Sequence, residues 1–125
     1  MSLADTLVIC GVTDHARQRC DWPGVLRWES RLDEMLSLYS TAPEACPHLI
    51  RTFACANMNH ALFAKAASLF ERSAQLLGNL ERFRDQARDV CQVGQCFLQL
   101  GDVDGAAPWF EKARKVGAAH GFFQA

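Results

Sequence analysis

The sequence predicts an all-α protein, an α-solenoid of about three helix-turn-helix units. Three observations carry that prediction. Apolar and small residues recur at steps of three and four, as in Phe63, Ala66, Phe70, Ser73 and Leu77, in Val90, Val93, Phe97 and Leu100, and in Ala106, Phe110, Ala113 and Val116. That spacing places each set on one face of a helix. Strand signals are missing: no segment sustains apolar/polar alternation, and no Asn-Gly or Asp-Gly pair joins two β-branched runs. Finally, the chain resembles itself at an offset of about 40 residues, with Leu69-Phe70-Glu71-Arg72 falling on Trp109-Phe110-Glu111-Lys112.

Punctuation in the sequence divides the chain into six expected helices, near 3–19, 23–40, 44–60, 63–77, 80–100 and 104–119. Asp21-Trp22-Pro23-Gly24 opens the second, with Asp21 as cap and Pro23 tolerated in a first turn. Thr41-Ala42-Pro43 and Cys46-Pro47 open the third. Gly78-Asn79 closes the fourth, because both residues accept the left-handed conformation at a helix end. Gly101-Asp102-Val103-Asp104-Gly105 forms a turn and a fresh start, with either aspartate able to cap. Gly117 and Gly121 weaken the last helix. The helices pair into units of about 3–40, 44–77 and 80–119 within one domain covering 1–125.

A chain of 125 residues with half its residues apolar is large enough for one packed core. No apolar run approaches the roughly 20 residues that span a bilayer, and Met1 to Cys10 does not read as a secretory leader. A cytoplasmic address is therefore expected, with no membrane partner. Thirteen basic residues face fourteen acidic ones, for a net charge of -1. The one local cluster, Arg82, Arg84 and Arg88, alternates with Glu81, Asp85 and Asp89, which reads as a solvated helix face rather than a nucleic-acid footprint. Six cysteines sit among apolar neighbours without a Cys-x-x-Cys pair, as buried reduced thiols do. The sharper alternative is a zinc site built from Cys46, His48, Cys55 and His60, but their spacing is not that of a zinc finger. No metal and no cofactor are expected.

The repeat offset carries Ala66 onto Ala106, Ala54 onto Gly94 and Ala61 onto Gly101, and the stretch from Asp21 to Trp28 lies two such periods before Asp102 to Trp109. The pattern Val93-Gly94-x-x-Phe97-x-x-x-Gly101-Asp102-x-x-x-Ala106-x-x-x-Phe110-Glu111-Lys112-Ala113 resembles a tetratricopeptide repeat. In that family a small residue on the first helix admits the second, an aromatic one turn later fills the gap, and the second helix turns alanine, aromatic and alanine inward. The period is longer than the family's usual ~34 and resembles its long-helix variants. The resemblance is carried most fully by residues 90–113, then by 50–77; in the first unit Glu29 stands where an aromatic is expected. It implies a right-handed superhelix.

No nucleophile with a base, no carboxylate pair and no phosphate loop is recognisable, and His15, His48, His60 and His120 lie far apart, so no enzyme is expected. The resemblance implies instead a scaffold that binds a peptide or helix of another protein in its concave groove. Carried over by position, the groove would be lined by His48, Arg51, Cys55, Met58 and Asn59 in the second unit, and by Arg88, Cys91, Gln95, Leu98 and Gln99 in the third. Cys55 and Gln95 replace the clamp asparagines of chaperone-binding members, and Cys91 replaces a basic residue, which disfavours a chaperone tail. Trp109, Val116, Phe122 and Phe123 would be left needing cover, which a homodimer through the C-terminal helix would supply. The alternative function is a regulatory or ligand-sensing repeat segment of a larger regulator or enzyme.

Overall fold

The structure, a computed structural model, describes residues 1–39 and 42–121, and among these residues it is helical with no strand. Seven α-helices follow in order: α1 (Leu3–Gln18), α2 (Trp22–Leu26), α3 (Leu32–Leu38), α4 (Cys46–Asn59), α5 (Phe63–Asn79), α6 (Phe83–Gln99) and α7 (Val103–Ala119). Short 3₁₀ turns at Glu29–Arg31 and Pro43–Ala45 precede α3 and α4. Contacts run chiefly between neighbours in sequence, α4 with α5, α5 with α6 and α6 with α7, while α1 packs on α2 and α4.

One turn recurs at four helix ends. Cys20 (φ 56°), Ala61 (φ 59°), Glu81 (φ 59°) and Gly101 (φ 79°) adopt the left-handed conformation that ends a helix. In each turn that residue's N–H donates to the carbonyl three back (Arg17, Met58, Gly78 and Leu98). The next residue's N–H donates to the carbonyl five back (Ala16, Asn57, Leu77 and Phe97), at 2.8–2.9 Å. The paired bonds satisfy carbonyls that a helix end would otherwise leave without donors. Those next residues, Asp21, Leu62, Arg82 and Asp102, are also the N-caps of α2, α5, α6 and α7. One residue thus closes a helix and opens the following one, so the chain reverses in the same way each time. Three of these turns, at Ala61, Glu81 and Gly101, are evenly spaced along the chain.

Side-chain burial follows the same offset. Ala66, Ser73 and Leu77 of α5 are buried, as are Ala106, Ala113 and Gly117 of α7. Ile50, Phe53, Ala54 and Ala56 of α4 correspond to buried Val90, Val93, Gly94 and Cys96 of α6. Gly94 lies so close to α7 that a Cβ built there would stand 2.9 Å from the Phe110 ring. Gly94 is thus the small residue on α6 that admits the Phe110 ring of α7. Asp21 and Asp102, related by the doubled repeat offset, cap α2 and α7 alike, accepting from Gly24 N at 3.2 Å and Gly105 N at 2.8 Å. The core is a string of clusters rather than one centre. Phe53, Met35, Ile50 and Val25 fill the space among α1 to α4. Ala54, Ala66, Phe70 and Val93 link α4, α5 and α6, and Ala74, Val90 and Ala113 link α5, α6 and α7.

Two expectations need correction. The single helix expected over 23–40 is interrupted: Trp28 N–H bonds back to Val25, and Trp28 (φ -102°, ψ 5°) caps the 3₁₀ turn from which α3 starts. No breaker residue marks the interruption. Polar contacts hold it, because Glu29 Oε1 accepts from Nδ2 of the buried Asn57 at 3.3 Å and pairs with Lys65 Nζ at 2.8 Å. Gly78-Asn79 does not form the left-handed end of its helix; α5 continues through Asn79 and the left-handed residue is Glu81. Gly78 instead accommodates the Gln86 amide, which a Cβ would meet at 2.5 Å.

Candidate partner-binding groove

The residues expected to line a groove begin on α4, and four adjoining clefts run along that helix. One, about 290 Å³, lies between Cys10 and Asp14 of α1, Tyr39, and His48 and Leu49 of α4. Arg17, His48, Arg51 and Cys55 border a second of about 260 Å³. A third of about 260 Å³ is bordered by His48 and Arg51 together with Ser73, Arg82, Asp85 and Arg88. The fourth, about 290 Å³, is formed by Cys55, Met58 and Asn59 with Trp22, Phe70 and Gln92. His48 borders the first three, Arg51 the second and third, and Cys55 the second and fourth, so neighbouring clefts share walls.

The structure therefore brings together His48, Arg51, Cys55, Met58, Asn59 and Arg88 from the expected set. It places the remaining four elsewhere on α6. Cys91 is half-buried against the Ala74, Val90 and Ala113 cluster, while Gln95, Leu98 and Gln99 are exposed and border none of these four clefts. Arg17, Trp22, Phe70, Ser73, Arg82 and Asp85 also border the clefts, although no sequence signal marks them as groove residues. The charged cluster read as a solvated face is only partly that: Arg82, Asp85 and Arg88 face a cleft, and Asp89 is fully buried.

Asp89 links three helices beneath the groove floor. Its Oδ2 accepts a 2.6 Å hydrogen bond from Ser73 Oγ of α5, and its Oδ1 lies 3.2 Å from Arg51 Nε of α4. The latter contact is an ion pair without hydrogen-bond alignment, which leaves Oδ1 without a hydrogen-bond donor. Burial pushes the Asp89 carboxyl above its ordinary range, more than the Ser73 hydrogen bond and the Arg51 charge draw it down. On α1, Arg17 Nε and Nη2 both donate to Asp14 Oδ1 (3.2 and 3.0 Å), and His48 Nε2 lies 3.2 Å from the same oxygen. These contacts hold the Asp14 carboxyl below its usual value, Arg17 contributing most. The His48 contact also ties α1 to α4.

The six cysteines lie on α1, the turn after it, α4 and α6. All six are free, and burial raises the thiol pKa of Cys46, Cys55, Cys91 and Cys96, away from the thiolate a nucleophile needs. Cys46 and His60 stand at opposite ends of α4, about 21 Å apart along its axis, too far to share one ion. Of the residues expected to need cover, Trp109 is half-buried, its ring 6.4 Å from that of Phe97 with Lys112 Nζ above it at 5.4 Å. Val116 is also half-buried, and Phe122 and Phe123 lie outside the described residues. The exposed large apolar side chains among the described residues are Leu3, Leu7, Val8 and Val12 on α1 and, near the ends of later helices, Leu62, Leu98, Leu100 and Val103. Among the described residues no helix is long and apolar enough to cross a membrane. In comparison with known proteins, the chain gives no match to a family model, a curated protein or a solved structure.

Proposed function

We propose that this chain is a tetratricopeptide-type array that binds a peptide or helix of a protein partner along the α1, α4 and α6 face, and that it acts by binding rather than by catalysis. The observation that carries the reading is the set of four neighbouring clefts along α4, which share His48, Arg51 and Cys55 as walls. Its residues are mixed, with guanidinium groups at one end and Trp22, Met58 and Phe70 at the other, which suits a peptide better than a polyanion or a bilayer. The recurrence of burial at the repeat period and the similar turns support the repeat assignment, and the right-handed superhelix is what the family resemblance implies.

Selection from a displayed library of random peptides tests this. Enriched peptides should bind the parent and lose affinity to Met58→Ala and Arg88→Ala, while a Lys115→Ala variant, altered at an exposed site on α7, binds as the parent does. Selected peptides indifferent to both groove substitutions would exclude this face as the binding surface.

A second reading, a ligand-sensing segment of a larger regulator or enzyme, draws on a different cleft. About 460 Å³ lies among Glu71, Gln75, Asn79, Gln86 and Lys112, with Phe83 and Trp109 as aromatic walls. A small polar ligand that raises the melting temperature, and no longer does so in a Trp109→Ala variant, would favour it.

A further inference from the structure

Resting on the groove reading above, we infer that the occupant is an internal acidic peptide segment with an apolar anchor residue close by. Charge and its placement select it. Arg17, Arg51, Arg82 and Arg88 border the two adjoining clefts on either side of His48. Three carboxylates stand among them and each is already engaged: Asp14 with Arg17 and His48, Asp85 with Arg82 at 2.7 Å, and Asp89 with Ser73 and Arg51. Four guanidinium groups against three carboxylates leave a formal excess of one positive charge.

Two of these cations are disposed to receive an anion. Arg51 reaches Asp89 through Nε, so its terminal nitrogens remain available at the clefts the residue borders, and the buried carboxylate fixes its stem. Arg88 approaches Asp85 only to 3.9 Å, and its side chain is half exposed. Past Cys55 the character changes to Trp22, Met58 and Phe70, a cleft with little charge. From Arg51 to Met58 the helix advances about 10 Å, which an extended peptide covers in roughly three residues. The ligand therefore carries Asp or Glu about three positions from a Leu or an aromatic residue. An internal stretch suffices, because every recognised group is a side chain.

Fluorescence anisotropy with the full chain tests this, using a labelled peptide blocked at both ends that places glutamates three positions from a leucine. Binding should weaken roughly tenfold when the glutamates become glutamines, and by a similar factor in Arg88→Glu, with affinity falling as salt is raised. Arg88→Glu should melt near the parent, since its side chain is half exposed; should it unfold, the glutamine peptide and the salt series on the parent decide alone. Equal binding of the glutamate and glutamine peptides would overturn the inference, as would preference for a lysine version or equal displacement by a single-stranded oligonucleotide. No binding of the glutamate peptide alongside library-selected peptides that require Met58 would sink the acidic assignment but leave the groove standing. Failure of both would remove the groove reading as well.

Discussion

At Gly94 a single hydrogen atom decides how closely two helices pack. A leucine there would drive its side chain into the Phe110 ring, already 2.9 Å from the position of an added Cβ, and should cost roughly 1–3 kcal/mol. Urea denaturation of Gly94→Leu checks this, and an unchanged midpoint would contradict the close approach. The reverse logic applies to the turns. Ala61 and Glu81 hold a left-handed backbone that costs an L-residue roughly 1–2 kcal/mol, whereas Gly101 adopts it freely. Ala61→Gly and Glu81→Gly should each stabilise the protein by about 0.5–1 kcal/mol, offset in part by the greater freedom of glycine in the unfolded chain. Gly94 was legible in the sequence because a small residue interrupts an apolar stripe. The repeat offset pointed to Ala61 by laying it on Gly101, but nothing marked Glu81, whose conformation is imposed by the recurrent turn and not signalled by its residue type.

Among the helices, α4 to α7 were legible to within a few residues, since long periodic stretches bounded by short turns leave little freedom. The stretch after Asp21 was not. Its opening cap was plain, but the interruption at Trp28 depends on Glu29 meeting Asn57 of α4 and Lys65 of α5, contacts remote in sequence. The buried Arg51–Asp89–Ser73 network was missed for a related reason. Asp89 sits among alternating charges and reads as solvated, yet it shares a stripe with Val93 and Cys96, a signal of burial.

That network gives a pH signature. Because burial holds the native carboxyl above its ordinary 3.8, the folded state binds this proton more tightly than the unfolded chain. Stability from Asp89 is therefore fully present below about 3.8 and is lost as pH rises through the native-state value. Asp14, whose carboxyl is held low, works the other way and loses its contribution as pH falls. Unfolding free energies of the parent and of Asp89→Asn, measured at about pH 4 and pH 8, should diverge in favour of the variant at the higher pH. A difference that stays constant with pH would show that Asp89 keeps an ordinary pKa.

Over the whole molecule, the core passes from α1–α4 to α4–α6 to α5–α7 as linked clusters, so each pair of helices depends mainly on its neighbours. Six of the ten expected groove residues come together because α4 carries five of them on one face, and a helix face can be read from spacing. The α6 contribution was harder to read, because how α6 sits against α4 depends on packing through Ala54, Phe70 and Val93. This face is the proposed partner site, and heteronuclear NMR titration with a library-selected peptide tests it most directly. Shifts should concentrate at Arg17, His48, Arg51, Cys55, Met58 and Arg88. Shifts gathered instead at Leu3, Leu7, Val8 and Val12, or around Gln75 and Trp109, with the α4 face unmoved, would contradict it.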